Sequence, residues 1–188
     1  MKIGVLSLQG DYQNHINRLR ELSIDSKKVR YPNDLDLLDA LIIPGGESTT
    51  MSKQIDRNNF RYKLKEYAKT NPVFGTCAGM ILLSSTKKAK NLSPLGIMDF
   101  TVTRNAYGRQ IESFSANLNL DFSDNTDFHA VFIRAPKVSK IGKNIKILAK
   151  YKKQPVMITD GRHIATSFHP EMGTDFRIHN YFMELINA

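Results

Sequence analysis

The sequence predicts a single α/β domain over residues 1–188, with a mostly parallel central sheet flanked by helices and antiparallel strands added in the second half. Three observations lead to this prediction. The length of 188 residues is that of one ordinary domain. Short apolar segments alternate with amphipathic segments in the first half, as in a parallel sheet covered on both faces. The second half contains mainly short strand-like segments, which are typical of antiparallel ribbons.

The first half alternates between strands and helices. Residues 2–8 form a short apolar run of the buried-strand type, and residues 11–22 follow with Ile16, Leu19 and Leu22 at helical spacing. The alternation continues with strands at residues 40–44 and 73–75 and helices at residues 58–70 and 78–85. This order predicts parallel strands with helices on both faces of the sheet.

Strand-like segments dominate the second half. They lie at residues 100–103, 113–120, 128–134, 145–151, 155–159 and 164–168, before a final helix at residues 175–186. Within residues 144–152, every second residue from 145 to 151 is apolar. The residues between them are polar except for Leu148, and this alternation predicts a half-buried strand with its lysines mostly outward. We expect antiparallel ribbons from this half to extend the sheet.

Composition excludes several classes of protein. Hydrophobic residues make up 41% and charged residues 24%, the balance of an ordinary globular protein. No apolar run approaches the roughly 20 residues of a membrane span, and no signal-peptide pattern precedes the first strand. We therefore expect a cytoplasmic protein with no membrane partner. Cys77 is the only cysteine, which excludes an intramolecular disulfide and a multi-thiolate zinc site.

The net charge of +9 suggests nucleic-acid binding at first. Most of this charge lies in residues 134–153, which contain eight basic and no acidic residues. No series of aromatic residues and no known nucleic-acid-binding motif accompanies the lysines. We therefore expect no nucleic-acid partner and interpret this segment as a solvated face.

The strongest catalytic candidate is Cys77. Residues 75–79 (GTCAG) lie between an apolar strand and a helix and have the G-x-nucleophile-x-G form of a nucleophile elbow. This turn would place the thiol at the carboxyl edge of the sheet and at a helix N-terminus, where a thiolate is favoured. A buried structural cysteine is the alternative.

A thiolate nucleophile needs a base, and His169 is the candidate. It follows the strand at residues 164–168, and Glu171 lies two residues further on. On extended backbone these two side chains would face the same side, so Glu171 would fix the orientation of the His169 ring. A surface turn is the alternative for this tripeptide. The remaining histidines lack such a neighbour and are expected to be structural or exposed.

The loop at residues 44–49 (PGGEST) follows another strand and should reach the same edge of the sheet as Cys77. Its paired glycines allow a backbone N–H to approach a ligand closely. Such an N–H, together with that of Ala78, would form an oxyanion hole. The alternative is a tight turn before a helix cap at Ser48 or Thr49. The glycine patterns of nucleotide sites are absent from the sequence, and metal ligation is weakly supported.

Together these residues resemble the class I (triad) glutamine amidotransferases, whose glutaminase domains carry a PGG loop, a G-x-C-x-G elbow and an HPE tripeptide in this order. More narrowly, essentially the whole chain is similar to the glutaminase subunits of pyridoxal 5′-phosphate synthase. PGGEST and RNAYGRQ discriminate this group from other amidotransferases. The matching segments are residues 8–10 (LQG), 44–49 (PGGEST), 75–79 (GTCAG), 104–110 (RNAYGRQ), 133–136 (IRAP) and 166–171 (TSFHPE).

The resemblance implies a flavodoxin-like fold and a role for each site residue. Cys77 would be the nucleophile, His169 its base and acid, and Glu171 the residue that orients His169. The backbone N–H groups of Gly46 and Ala78 would bind the oxyanion, with Gln9 in a supporting role nearby. The implied contacts to L-glutamine come from Gly46, Glu47, Ser48, Arg104, Ile133 and Arg134.

The resemblance also implies a partner. The ammonia would pass to a (β/α)₈-barrel synthase subunit in a hetero-oligomer that makes pyridoxal 5′-phosphate, and the glutaminase itself would need no cofactor or metal. The sequence departs from this family at residues 137–153, where lysines replace the acidic residues expected there.

Two alternatives remain open at the level of the sequence. The chain could be a glutaminase subunit of another synthase, such as imidazole glycerol phosphate synthase. It could also be a non-enzymatic or protease-like relative on the same scaffold, with the elbow cysteine as a redox sensor.

Overall fold

The computed structural model describes residues 1–87, 89, 91–104, 113–124 and 127–188. The strands are β1 (Lys2–Leu6), β2 (Asp25–Val29), β3 (Ala40–Ile43), β4 (Val73–Thr76), β5 (Phe100–Thr103), β6 (Ser113–Leu118), β7 (Phe128–Ile133), β8 (Lys137–Ile141), β9 (Lys146–Tyr151), β10 (Gln154–Thr159) and β11 (Ile164–Thr166). The α-helices are α1 (Tyr12–Glu21), α2 (Ser48–Arg57), α3 (Phe60–Ala68), α4 (Ala78–Leu83) and α5 (Arg177–Asn187), and short 3₁₀ helices cover Pro32–Leu37 and Pro170–Met172.

The central sheet is mixed and mostly parallel. Within the described residues its strand order is β2-β1-β3-β4-β11-β10-β9. The strands from β2 to β11 in this order pair in parallel, and β10 pairs antiparallel with both β11 and β9. The predicted fold class is therefore confirmed. The parallel strands β1, β3, β4 and β11 all end at one edge, which is where parallel sheets of this type place their sites.

Two antiparallel pairs lie outside this sheet. β5 pairs with β8 and β6 pairs with β7, each as a separate two-stranded ribbon among the described residues. Only β9 and β10 extend the central sheet, so the expectation that the ribbons of the second half extend it holds for these two strands and not for the others. Both separate ribbons contribute apolar residues to the clusters that cover the faces of the sheet, and within the described ranges only an isolated bridge from Leu120 to Ala149 joins the segment after β6 to the edge strand β9.

Two apolar clusters bury the two faces of the sheet. Helices α2, α3 and α4 and the β5–β8 ribbon contribute to one cluster, for example through Met51, Phe60 and Phe100. Helices α1 and α5 and the β6–β7 ribbon contribute to the other, for example through Leu19 and Phe182. The site-bearing strands are therefore fixed from both sides.

Several details differ from the sequence-based expectation, among them helix α2, of which the sequence predicted only a helix cap at Ser48 or Thr49 as an alternative for the glycine loop. The sequence analysis did not predict β2, because this edge strand is polar and only its last residue is buried. It did not predict β8 within the basic segment either. Leu148, predicted to point outward with the lysines of β9, is buried because the β6–β7 ribbon covers that face, whereas Lys146 and Lys150 are exposed as expected. In the described part of the chain, no helix is both long and apolar enough to cross a membrane.

Candidate active site

The candidate site is assembled from four segments that follow neighbouring parallel strands. Gln9 follows β1, the Gly45–Gly46 pair follows β3, Cys77 follows β4 and His169 follows β11. These strands are adjacent in the order β1-β3-β4-β11. Residues far apart in sequence therefore meet at one edge because the parallel topology aligns the carboxyl ends of their strands.

Cys77 occupies a strained turn between β4 and α4. Its backbone has φ 48° and ψ −99°, a conformation that non-glycine residues rarely adopt. The turn is held by a hydrogen bond from the Cys77 N–H to the Thr166 carbonyl at 2.8 Å. The sulfur lies 3.5 Å from the carbonyl oxygen of Ile133. This strained geometry is that of a nucleophile elbow.

The flanking glycines of the elbow are required by close packing. A Cβ at Gly79 would lie 2.0 Å from the Ile43 carbonyl oxygen of β3. A Cβ at Gly75 would lie 2.6 Å from the Gly79 carbonyl carbon. Both distances are far below van der Waals contact, so the first turn of α4 approaches the sheet only because these positions lack side chains.

His169 and Glu171 form a short buried pair. The Nδ1 of His169 lies 2.7 Å from Oε1 of Glu171, and both side chains are buried. The sequence argument for this contact assumed extended backbone, but residues Pro170–Met172 form a 3₁₀ helix. The contact agrees with the prediction. The extended backbone predicted for it was wrong, because Pro170 starts a turn at this point.

The electrostatics favour a charged pair. Burial disfavours the carboxylate of Glu171, but the facing His15 ring and the hydrogen bond from His169 outweigh burial and lower its pKa. Burial likewise opposes a charged His169 ring, yet hydrogen bonds with Cys77 and Glu171 outweigh it and raise its pKa to about 10. At neutral pH the pair is therefore a carboxylate and an imidazolium, with Cys77 beside the ring.

We expect the His169 ring in the intact protein to titrate near pH 10. The raised pKa means that the proton stays on the ring through neutral pH and is lost only as the pH rises through this value. NMR of protein with ¹³C-labelled histidine, assigned with a His169→Asn variant, measures the midpoint. In Cys77→Ser the midpoint should fall, because one of the two hydrogen-bonding partners is replaced. A midpoint near the ordinary value of 6.5 in the unmodified protein would contradict this prediction.

Gly45 packs against the His169 ring. A Cβ at this position would lie 2.4 Å from Cε1 of His169 and 3.0 Å from its Nδ1. Any side chain at residue 45 would therefore displace the ring from its present position.

We expect Gly45→Ala to lower kcat of the glutamine hydrolysis implied by the sequence resemblance by about 100-fold, since a displacement of about 1 Å in a catalytic group has effects of this size. Steady-state ammonia release measures the change, and thermal unfolding reports whether the fold survives. Gly173→Ala is a matched control for an added methyl group, because the backbone there has φ −94° and a Cβ would meet only ordinary contacts at 3.8 Å or more. Equal activity in Gly45→Ala and the unmodified protein would refute the argument.

The glycine loop is oriented by the segment after β1. The Asp11 N–H donates to the Gly45 carbonyl at 3.1 Å, and the Gln9 side-chain amide donates to the Glu47 carbonyl at 3.1 Å. In a trans peptide the Gly46 N–H points opposite to the Gly45 carbonyl, and hence away from Asp11. Gly46 itself has φ +143° and would clash with Gln9 if it carried a Cβ. Gln9 and Asp11 thus fix the orientation of the proposed oxyanion donor.

A cavity of about 500 Å³ opens over these residues. Most of the predicted site residues line it, namely Gly46, Glu47, Ser48, Cys77, Arg104, Ile133, Arg134 and His169. Glu171 lies buried behind His169, Gln9 supports the loop, and Ala78 begins α4 next to Cys77. As the first residue of α4, Ala78 has an N–H for which its own helix provides no acceptor. Residues 105–110 of the RNAYGRQ motif lie outside the described residues.

The cavity also contains residues that the sequence analysis missed. Asp11, Ile81 and Ser113 line it together with the predicted set. Asp11 follows the LQG segment directly and was a recognisable polar residue at a strand end. Ile81 and Ser113 carried no signal, because they reach the cavity only through the packing of α4 and of the β6–β7 ribbon.

Both signs of charge are available to a ligand in the cavity. Glu47 accepts hydrogen bonds from the Thr49 hydroxyl at 2.7 Å and from the Thr49 N–H at 3.2 Å. These bonds, and then the nearby Arg104 and Arg134, lower the pKa of the Glu47 carboxyl. The cavity therefore presents the carboxyl groups of Glu47 and Asp11 and two guanidinium groups, and charges of both signs complement a zwitterionic amino acid.

Asp11, His169 and Glu171 place three possible metal-ligand atoms within 4.8 Å of one another. The Nδ1 of His169 and one oxygen of Glu171 already bond to each other at 2.7 Å. This pairing is that of a base and the acid that orients it.

Comparison with known proteins agrees with this geometry. The chain is 45% identical over 187 residues to the pyridoxal 5′-phosphate synthase subunit PdxT of Thermotoga maritima, covering 99% of this chain and 100% of that protein. It is 47% identical to the subunit of the same name in Thermosipho africanus, with 99% of both chains covered. A crystal structure of a glutamine amidotransferase superposes with a TM-score of 0.92 at 40% identity over 99% of each chain.

A more distant structure shares only the fold. A glutamine amidotransferase of Thermotoga maritima superposes with a TM-score of 0.64 at 15% identity, over 100% of this chain and 84% of the other. The fold and its site together define a class I glutamine amidotransferase. Residues 5–188 match the SNO glutamine amidotransferase family, and the chain belongs to that family.

Proposed function

We propose that this chain is the glutaminase subunit of a pyridoxal 5′-phosphate synthase, hydrolysing L-glutamine to L-glutamate and ammonia. The observation that carries the proposal is the buried His169–Glu171 pair beside an elbow cysteine, in a cavity of about 500 Å³ that presents charges of both signs. The full-length similarity to synthase subunits in Thermotoga maritima and Thermosipho africanus favours this synthase over other synthases that use ammonia.

In the first half-reaction, the Cys77 thiolate attacks the side-chain amide carbon of glutamine. The carbonyl oxygen becomes an oxyanion, which the backbone N–H groups of Gly46 and Ala78 stabilise. The imidazolium of His169 then transfers its proton to the leaving nitrogen, and ammonia departs as the carbon–nitrogen bond breaks. A glutamyl thioester on Cys77 and a neutral His169 remain.

In the second half-reaction, water cleaves the thioester. The neutral His169 accepts a proton from water as the oxygen attacks the thioester carbon. The carbon–sulfur bond breaks, and glutamate leaves with Cys77 restored as the thiolate and His169 as the imidazolium. Glu171 keeps its charge throughout and holds the ring in place, as the orienting acid does in other triads.

The charged side chains of the cavity account for recognition of free glutamine. Arg104 and Arg134 suit the α-carboxylate of the substrate, and Glu47 suits its α-ammonium group. Ile133 and Ser48 line the same cavity as these charged groups and Cys77. A substrate lacking either charged group would lose one of these two charge interactions with the cavity.

We expect Glu47→Gln to raise KM for glutamine about tenfold and to change kcat much less, since the contact is made equally in ground and transition states. The amide oxygen still accepts from Thr49, so α2 keeps its cap. Glu66→Gln, on the surface and paired with Lys69, is the matched control. An unchanged KM in Glu47→Gln would rule out its contact with the ammonium group.

We further propose a (β/α)₈-barrel synthase subunit as the partner that receives the ammonia. Ammonia released into water at neutral pH becomes ammonium, which is not a nucleophile, so the product is useful only when transferred under cover. The name of the relatives, subunits of a synthase, supports assembly with another subunit.

Ammonia release from glutamine by the chain alone and mixed with the synthase tests the proposal. We expect release in the mixture, with formation of pyridoxal 5′-phosphate from pentose and triose phosphates. If ammonia is released but no pyridoxal 5′-phosphate forms with this synthase, while a different synthase forms its own product from the ammonia, the chain serves that other synthase. Absence of glutamine turnover under every condition would favour a non-enzymatic role.

A further inference from the structure

A buried polar cluster lies behind the catalytic pair and has no role in the mechanism above. His15 of α1 is fully buried, and its Nε2 lies 3.1 Å from Oγ1 of Thr76. The same Nε2 lies 3.4 Å from Oε2 of Glu171. Thr76 directly precedes Cys77, and Glu171 is itself a member of the triad. His15 therefore contacts one triad residue and the chain neighbour of another.

The second oxygen of Glu171 needs stabilisation. Its Oε1 is bonded to His169, but in the described part of the chain Oε2 has no hydrogen-bond partner. A buried carboxylate with one uncompensated oxygen is costly, and its charge is then easily lost to protonation. The polar group facing Oε2 at 3.4 Å is His15 Nε2.

The protonation state of His15 follows from its surroundings. Burial lowers the pKa of His15, more than the attraction of Glu171 and Asp11 raises it, while charge on His169 also lowers it. The ring of His179, on α5 beside His15, is neutral as well, because burial lowers its pKa to about 3. His15 is therefore neutral at neutral pH and carries a single N–H.

The position of that N–H decides the sign of the interaction. A proton on Nε2 donates to the Thr76 hydroxyl and turns the positive edge of the ring toward Oε2 of Glu171. A proton on Nδ1 would instead place the Nε2 lone pair against the carboxylate oxygen. Because the second arrangement is repulsive in a buried site, the geometry favours the Nε2–H tautomer.

We propose that His15 is a positioning residue of the triad: its Nε2–H supports the charge on Glu171 and links that carboxylate to Thr76, next to the nucleophile. His15 acts through Glu171 on His169 and does not touch the substrate. The expected effect on kcat rests on the proposed glutaminase function. The expected effects on the His169 pKa and on the His15 tautomer concern the protein without substrate and do not depend on that function.

The variants His15→Gln and His15→Met test the proposal. Glutamine keeps an N–H donor at about the position of Nε2, whereas methionine has a similar length and no donor. His163→Met is the matched control, since His163 is also buried and accepts from the Val73 N–H at the opposite end of β4. The readouts are the His169 midpoint by ¹³C NMR, thermal unfolding, and kcat and KM of the full chain mixed with its synthase.

In His15→Met we expect the His169 pKa to fall by about one unit or more and kcat to fall about tenfold, with KM little changed. In His15→Gln the His169 pKa should stay within about half a unit, and kcat within about threefold, of the values in the unmodified protein. His163→Met should lower the unfolding temperature without moving the His169 midpoint. An unchanged His169 midpoint in His15→Met, or equal damage in both His15 variants, would overturn the proposal.

A measurement on the unmodified protein keeps the test decisive if His15→Met does not fold. The ¹⁵N shifts of the His15 ring report its tautomer directly, and a proton on Nδ1 or on both nitrogens would overturn the proposal. Neither NMR measurement depends on glutamine turnover. A protein without glutaminase activity but with the expected shifts would therefore refute the proposed function alone.

Discussion

The Cys77→Ser variant is expected to release ammonia from glutamine at least on the order of 10⁴-fold more slowly than the unmodified protein, because loss of a triad nucleophile has effects of this size or larger. A serine hydroxyl holds its proton at neutral pH, whereas the attack on the amide needs the anionic nucleophile that a cysteine supplies much more readily. Ammonia release in the presence of the synthase measures the effect.

The single cysteine makes a chemical form of this test possible. Alkylation with iodoacetamide can modify only one thiol, so the adduct maps to Cys77 without ambiguity. Ser84→Ala, a small change at the other end of α4, is the control for the Cys77→Ser variant. Full activity of Cys77→Ser, or of the alkylated protein, would eliminate the thioester mechanism.

Glu171→Gln is expected to lower kcat by roughly 10³–10⁴-fold while leaving the fold intact, by analogy with the loss of the orienting acid in other triads. The amide would donate to Nδ1 of His169, which places the ring proton on the wrong nitrogen. It would also remove the carboxylate that helps raise the His169 pKa. Steady-state kinetics measures the rate, and the ¹³C titration of His169 measures the pKa.

Glu184→Gln on α5 removes an exposed carboxylate and controls for the change of net charge. A Glu171→Gln protein with an unchanged His169 midpoint and a kcat within tenfold of the unmodified protein, about 1.4 kcal/mol in the barrier, would contradict the assigned role of Glu171.

Local patterns were enough to identify the candidate catalytic segments. The elbow around Cys77, the paired glycines at residues 45–46 and the tripeptide after β11 are each contiguous in sequence. Their placement at one sheet edge followed from the alternation of strands and helices, since parallel strands align their carboxyl ends. The predicted fold class held for the same reason.

Other features could not be predicted because they depend on contacts between distant segments. Leu148 is buried only because the β6–β7 ribbon covers one face of β9. The polar edge strand β2 forms because β1 offers it a parallel partner, and its own residues give no apolar pattern. The 3₁₀ helix after His169 replaces the extended backbone assumed for the Glu171 contact.

The sequence by itself determined the fold class and the identity of the candidate nucleophile, base and acid, because glycine spacing and strand periodicity are local properties of the chain. The tertiary structure alone decided how these groups are supported. The approach of Gly45 to the His169 ring and that of His15 to Glu171 join segments more than 100 residues apart. The charge state of a buried group depends on such neighbours in space, and neighbours in sequence do not reveal them.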